Sequence, residues 1–76
     1  MEKLYHVYSF LNGRNYPIIA QCYKTKEAAE DQYKKRVSSG QWDYIRLFVE
    51  YLQNGKTKTM LLIAENKKSG SVFVRG

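Results

Sequence analysis

The chain is poor in the residues that build staples and metal cages. Of its 76 residues, Cys22 is the only cysteine and His6 the only histidine. One cysteine excludes a disulfide within the chain, and one cysteine with one histidine excludes a Cys/His zinc cage. Proline occurs once, at Pro17, and tryptophan once, at Trp42. The longest apolar runs, such as Met60 to Ala64, fall far short of the roughly 20 residues that a membrane-spanning helix needs. Met1-Glu2-Lys3 runs straight into a strand pattern with no signal-peptide signature. An unpaired cysteine and the lack of a leader give the expectation of a cytoplasmic protein in a reducing compartment, without contact to membrane.

Acidic residues are also scarce, seven against thirteen Lys and Arg, for a formal net charge of +6. The carboxylates are scattered, and no pair has a spacing that suggests acid–base work. Gly13, Gly40, Gly55 and Gly70 punctuate turns, and none forms a phosphate-cradling loop. His6 has no recognisable base or orienting partner in the sequence. The expectation is a non-enzyme without metal or cofactor. A basic balance in so small a chain suits nucleic acid or an acidic protein surface as partner.

What is abundant is strand-forming and aromatic, with seven tyrosines and three phenylalanines. Residues 1–76 have room for one domain with a modest core. Leu4 to Leu11 alternates as a strand, with Tyr5, Val7, Ser9 and Leu11 on one face and Leu4, His6, Tyr8 and Phe10 on the other. Asn12-Gly13 marks a hairpin, with Arg14 and Asn15 as further candidates for the turn. Tyr16 to Tyr23 returns. Either loop length places Tyr16, Ile18, Ala20 and Cys22 with Tyr5 and Val7, making Cys22 a buried thiol, and places Ile19 and Tyr23 with Tyr8 and Phe10. Pro17, lacking an N–H, belongs near the strand start or on an edge.

At Thr25 the period changes. Thr25 suits an N-cap and Gly40 the C-terminal stop of a helix of about 13 residues, roughly 20 Å long. Glu27, Glu30 and Asp31 lie near its positive end and Lys34, Lys35 and Arg36 near its negative end, as expected of a solvated, dipole-matched helix. Ala29, Tyr33 and Val37, with Ala28 beside them, give a narrow buried stripe.

Trp42 to Leu52 alternates as the third strand. Ile45, Leu47, Val49 and Tyr51 face the core, and Tyr44, Arg46, Phe48 and Glu50 face outward. Asn54-Gly55 closes a second hairpin. A two-residue loop pairs Leu52 with Thr57, Val49 with Met60 and Leu47 with Leu62. That puts Met60, Leu62 and Ala64 on the core face and Leu61 and Ile63 beside Arg46 and Phe48. Asn66 to Gly70 is a basic turn, and Ser71 to Arg75 is an optional fifth strand.

The expected fold is α+β: an antiparallel sheet of four to five strands, β-β-α-β-β with an optional final β, and one helix packed on one face. A single helix covers one face, so the other is left with Tyr8, Phe10, Tyr23, Tyr44, Arg46, Phe48 and Ile63 as the candidate partner-binding surface. Arg14, Lys24, Lys56, Lys58, Lys67 and Lys68 are candidate basic contacts at its margins. The reading for function is a binding protein that grips a macromolecular partner, protein or nucleic acid, with that face. A nucleic-acid-handling protein that it inhibits or modulates stands first. Direct DNA or RNA binding, by base stacking and phosphate contacts, is the alternative. Self-association as a homodimer with packed sheet faces is the third reading. In size, basicity and lack of catalytic residues the chain is similar in type to small accessory proteins of phages and mobile elements, an analogy without a motif behind it.

Overall fold

Four strands and one helix account for most of the chain in a computed structural model that describes residues 2–68. The elements are β1 (Glu2–Phe10), β2 (Ile19–Tyr23), α1 (Lys26–Ser39), β3 (Tyr44–Gln53) and β4 (Lys56–Lys67). They form one antiparallel sheet in the order β2-β1-β3-β4, with α1 packed against β1, β3 and β2. This is the expected α+β architecture. The optional fifth strand, Ser71 to Arg75, lies outside the described residues.

The helix starts and stops where local chemistry dictates. Thr25 has extended backbone, and its side-chain oxygen accepts from the Ala28 N–H at 3.2 Å, satisfying one of the donors that the first turn leaves open. Gly40 closes the helix in the left-handed conformation, its N–H donating to the Val37 carbonyl. Ala29 is fully buried, and Tyr33 and Val37 pack beside it on the sheet. That stripe rests on the sheet. Its floor is Val7, Ile45 and Leu47, each at most 1% exposed, with Trp42 packed against them from the connection between α1 and β3.

Arg36 lies in the last turn of the helix, as the dipole favours, but it is not the solvated cation expected there. Its guanidinium reaches down to the sheet, where Nη1 donates to Ser9 Oγ at 3.0 Å and Nη2 to Gln21 Oε1 at 2.5 Å. The Trp42 ring lies 5.5 Å away. Ser9 is fully buried, so this bond satisfies a hydroxyl that would otherwise be stranded beneath the helix.

The two hairpins differ. Asn54 and Gly55 both have positive φ, 54° and 76°, and Gln53 pairs with Lys56. That is the tight two-residue turn expected of Asn-Gly, and Leu52 pairs with Thr57 as anticipated. The first connection is longer than either loop anticipated. It runs from residue 11 to residue 18 and contains a turn closed by Arg14 N–H donating to the Leu11 carbonyl. Tyr16, Pro17 and Ile18 stay outside the strand, and Ile18 N–H donates to Ser9. β1 and β2 therefore pair Tyr5 with Tyr23, Val7 with Gln21 and Ser9 with Ile19. A slip of one residue exchanges the faces of a strand. Ile19, Gln21 and Tyr23 lie on the helix side, and Ala20 and Cys22 on the other, which reverses the sequence assignment. Cys22 is exposed rather than buried.

β4 departs from the sequence reading for a second reason. Its register against β3 shifts twice, once at Lys58 and once at Ile63, where one extra residue is accommodated as a bulge. Val49 therefore pairs with Leu61 instead of Met60, and Leu47 with Ala64 instead of Leu62. Met60 and Leu62 are carried to the outer face beside Glu50 and Phe48, and Leu61 joins the helix side. Ala64 keeps its expected place against the core.

Candidate functional site

The sheet face opposite α1 is built by alternation on β1 and β3. His6, Tyr8 and Phe10 pair with Phe48, Arg46 and Tyr44, so aromatic and polar side chains interleave in two adjacent rows. Tyr8 stacks at a tilt on Phe48, with centroids 5.4 Å apart, and His6 sits 5.8 Å from Tyr8. Phe10 and Tyr44 meet at 5.6 Å, a spacing in the favourable range for tilted aromatic pairs. No described helix covers this face. Tyr8 and Phe48 are half-buried, whereas Phe10 and Tyr44 are 8% and 7% exposed.

Arg46 lies among these rings. Its guanidinium carbon is 4.7 Å from the Tyr44 centroid and 5.9 Å from those of Phe10 and Phe48, within cation–π range of all three. Nε donates to the Tyr44 hydroxyl at 2.6 Å, and that hydroxyl in turn donates to Glu65 Oε2. Burial raises the Tyr44 pKa, and Glu65 adds to the rise while Arg46 opposes it. The cation is thus held by rings and a hydrogen-bonded chain that ends in a carboxylate.

A second polar cluster lies toward the other end. His6 Nε2 donates to Glu50 Oε1 at 2.8 Å, and the Thr57 hydroxyl donates to Glu50 Oε2. These two hydrogen bonds, that of Thr57 first, hold the Glu50 carboxyl below its usual pKa. Tyr8 is pushed up by its burial, with Glu50 and Cys22 adding smaller effects. The alternation that put Glu50 on the wet side pointed to this cluster. What the sequence did not supply was the strand order that brings His6 within reach of it.

Of the candidate face residues, Tyr8, Phe10, Tyr44, Arg46 and Phe48 come together. Tyr23 does not: it packs on the core beneath the helix. Ile63, at the bulge, lines an open groove with Lys3, Tyr5, Lys26, Val49, Tyr51, Leu61 and Leu62, most of them on the helix side. Their places on the outer face are taken by Cys22, Leu62 and Met60.

The candidate basic residues form no single patch. Lys56 and Lys58 follow the second turn at one end of β4, and Lys67 and Lys68 lie at the other end, where Lys68 N–H donates to the Asp43 carbonyl. Arg14, in the first connection, donates to the Tyr16 hydroxyl at 2.9 Å. Lys24 precedes the helix and is exposed. The carboxylates Glu50 and Glu65 stand on the outer face itself, between these ends.

Among the described residues, no group of three or more His, Cys, Asp or Glu side chains is placed to hold a metal ion, and no helix is long and apolar enough to cross a membrane. No protein-family model matches the chain, and neither does any curated protein or solved structure with which it was compared.

Proposed function

We propose that the chain is a non-enzymatic binding module whose outer sheet face grips a protein partner and modulates or inhibits it. The observation that carries this reading is the Tyr8–Phe48 aromatic pair, lying uncovered beside a guanidinium already fixed by its neighbours. Tyrosine and arginine are the residues that most often dominate protein interfaces, because they bury large areas while keeping polar contacts. Here they are also preorganised, which lowers the ordering cost of association.

The electrostatics favour protein over a phosphate backbone on this face. Glu50 and Glu65 sit within it, and Arg46 is engaged with Tyr44. The lysines stand at the two ends, where they are suited to steering the module toward an acidic surface rather than tracking a polyanion. A nucleic-acid-handling protein, whose acidic patches such a basic chain would meet, is the partner class that the +6 charge fits.

The test is affinity capture from lysate of the source cells with the wild-type chain and with Tyr8→Ala and Phe48→Ala, each run with and without nuclease. The expected result is a protein that survives nuclease and is lost on both substitutions while circular dichroism stays unchanged. Binding that vanishes with nuclease, tolerates both substitutions and falls steeply with salt would replace this reading with direct nucleic-acid binding.

A further inference from the structure

β4 is the least covered strand of the sheet. Met60, Leu61, Leu62 and Ile63 are consecutive and 41%, 52%, 47% and 39% exposed. They project to both sides: Leu61 pairs with Val49 on the helix side, and Met60 and Leu62 pair with Glu50 and Phe48 on the outer side. β4 is also an edge strand, with no strand on its far side among the described residues. A long apolar edge is a template for strand addition.

We propose that β4 pairs antiparallel with β4 of a second copy of this chain, about a two-fold axis at Leu61, joining two four-stranded sheets into one. Three observations select this occupant. Exposure on both faces favours an added strand, because a helix or a flat surface docked on one face leaves the other in water. The run is also close to self-complementary. Pairing centred on Leu61 sets Met60 against Leu62 of the second copy on one face and Thr59 against Ile63 on the other. Symmetry repeats both contacts. The charges agree as well: Lys56 and Lys58 precede the apolar run and Glu65 follows it, so antiparallel pairing brings Lys58 of each copy near Glu65 of the other. A parallel arrangement would instead align lysine with lysine.

The bulges at Lys58 and Ile63 limit the pairing to a few residues on either side of Leu61. An interface this short buries less than the roughly 800 Å² per partner of standard stable complexes. The dimer is therefore weak, forming between micromolar and millimolar concentration. Its axis stands perpendicular to the sheet, so both outer faces open on the same side.

Sedimentation velocity over that concentration range tests the proposal. Wild type should pass from monomer to dimer, and Leu61→Lys, at an exposed position, should stay monomeric with an unchanged circular dichroism spectrum. A second measurement uses a Cys22→Ser background. There, Leu61→Cys should form a disulfide-linked dimer on mild oxidation much faster than Gln53→Cys, because residues facing each other across the axis lie within disulfide reach. A wild-type monomer at millimolar concentration would overturn the proposal. So would a dimer that Leu61→Lys leaves intact, or cross-linking no faster at position 61 than at position 53.

Discussion

His6 and Glu50 meet diagonally across β1 and β3, imidazole Nε2 to carboxylate Oε1 at 2.8 Å, although neither is the other's register partner. Glu50 is also the acceptor for Thr57, so one carboxylate ties together three strands of the sheet. Its pKa is lowered on folding, so the folded state holds the proton less tightly than the unfolded chain does. The stabilisation is present above the ordinary glutamate value, near 4.5, and is lost as pH falls through the lower folded value. Glu50→Gln should lower the urea midpoint at neutral pH and flatten its decline below about pH 4.5. An equally steep acid limb in the variant would contradict this assignment.

Arg36→Ala should destabilise by about 1–3 kcal/mol, because it strands the buried Ser9 hydroxyl and frees Gln21. Arg36→Lys should recover little, since an ammonium cannot present two donors in the fixed fork that spans Ser9 and Gln21. Chemical denaturation of the three proteins is the measurement. Full recovery by lysine would show that charge, not geometry, is what the position supplies.

Leu47→Ala removes a side chain that is 1% exposed at the centre of the core. Such a truncation costs about 2–5 kcal/mol. A small domain has a total stability at the low end of roughly 5–15 kcal/mol. The variant should therefore be largely unfolded on warming, read as loss of cooperativity in a thermal melt. A melt within a few degrees of wild type would place the core elsewhere.

Gly55→Ala should cost about 1–2 kcal/mol through backbone conformation alone. Gly55 has φ of 76°, and an added Cβ would meet nothing within 4 Å, so there is no clash to relieve. Asn54, also at positive φ, is the residue type that tolerates that region best. Gly55→Asn should accordingly be milder than Gly55→Ala in denaturant midpoint.

Much of the fold was legible because its signals are local. Thr25 and Gly40 cap the helix through bonds to residues three positions away, and Asn54-Gly55 sets a turn through its own φ angles. The alternation of β3 gave its two faces directly, and with them Arg46 and Phe48. What was not legible depends on distance. The β2 register rests on a connection whose length is set by Leu11, Arg14 and the residues around Pro17, and a one-residue change there exchanges Tyr23 for Cys22 on the outer face. The β4 bulges leave no trace in composition, since Lys58 and Ile63 are ordinary strand residues. Arg36 read as a surface cation because only the sheet beneath it reveals where its long side chain ends.

The strand order β2-β1-β3-β4 puts the first strand of the sequence in the middle of the sheet. Among the described strands, β1 has only β2 to pair with until Tyr44–Gln53 has left the ribosome, and an isolated two-stranded hairpin is marginal in water. The helix that lies between them in sequence has nothing complete to pack on until then. Nascent chains that stop short of β3 therefore lack Ile45 and Leu47, half of the fully buried cluster.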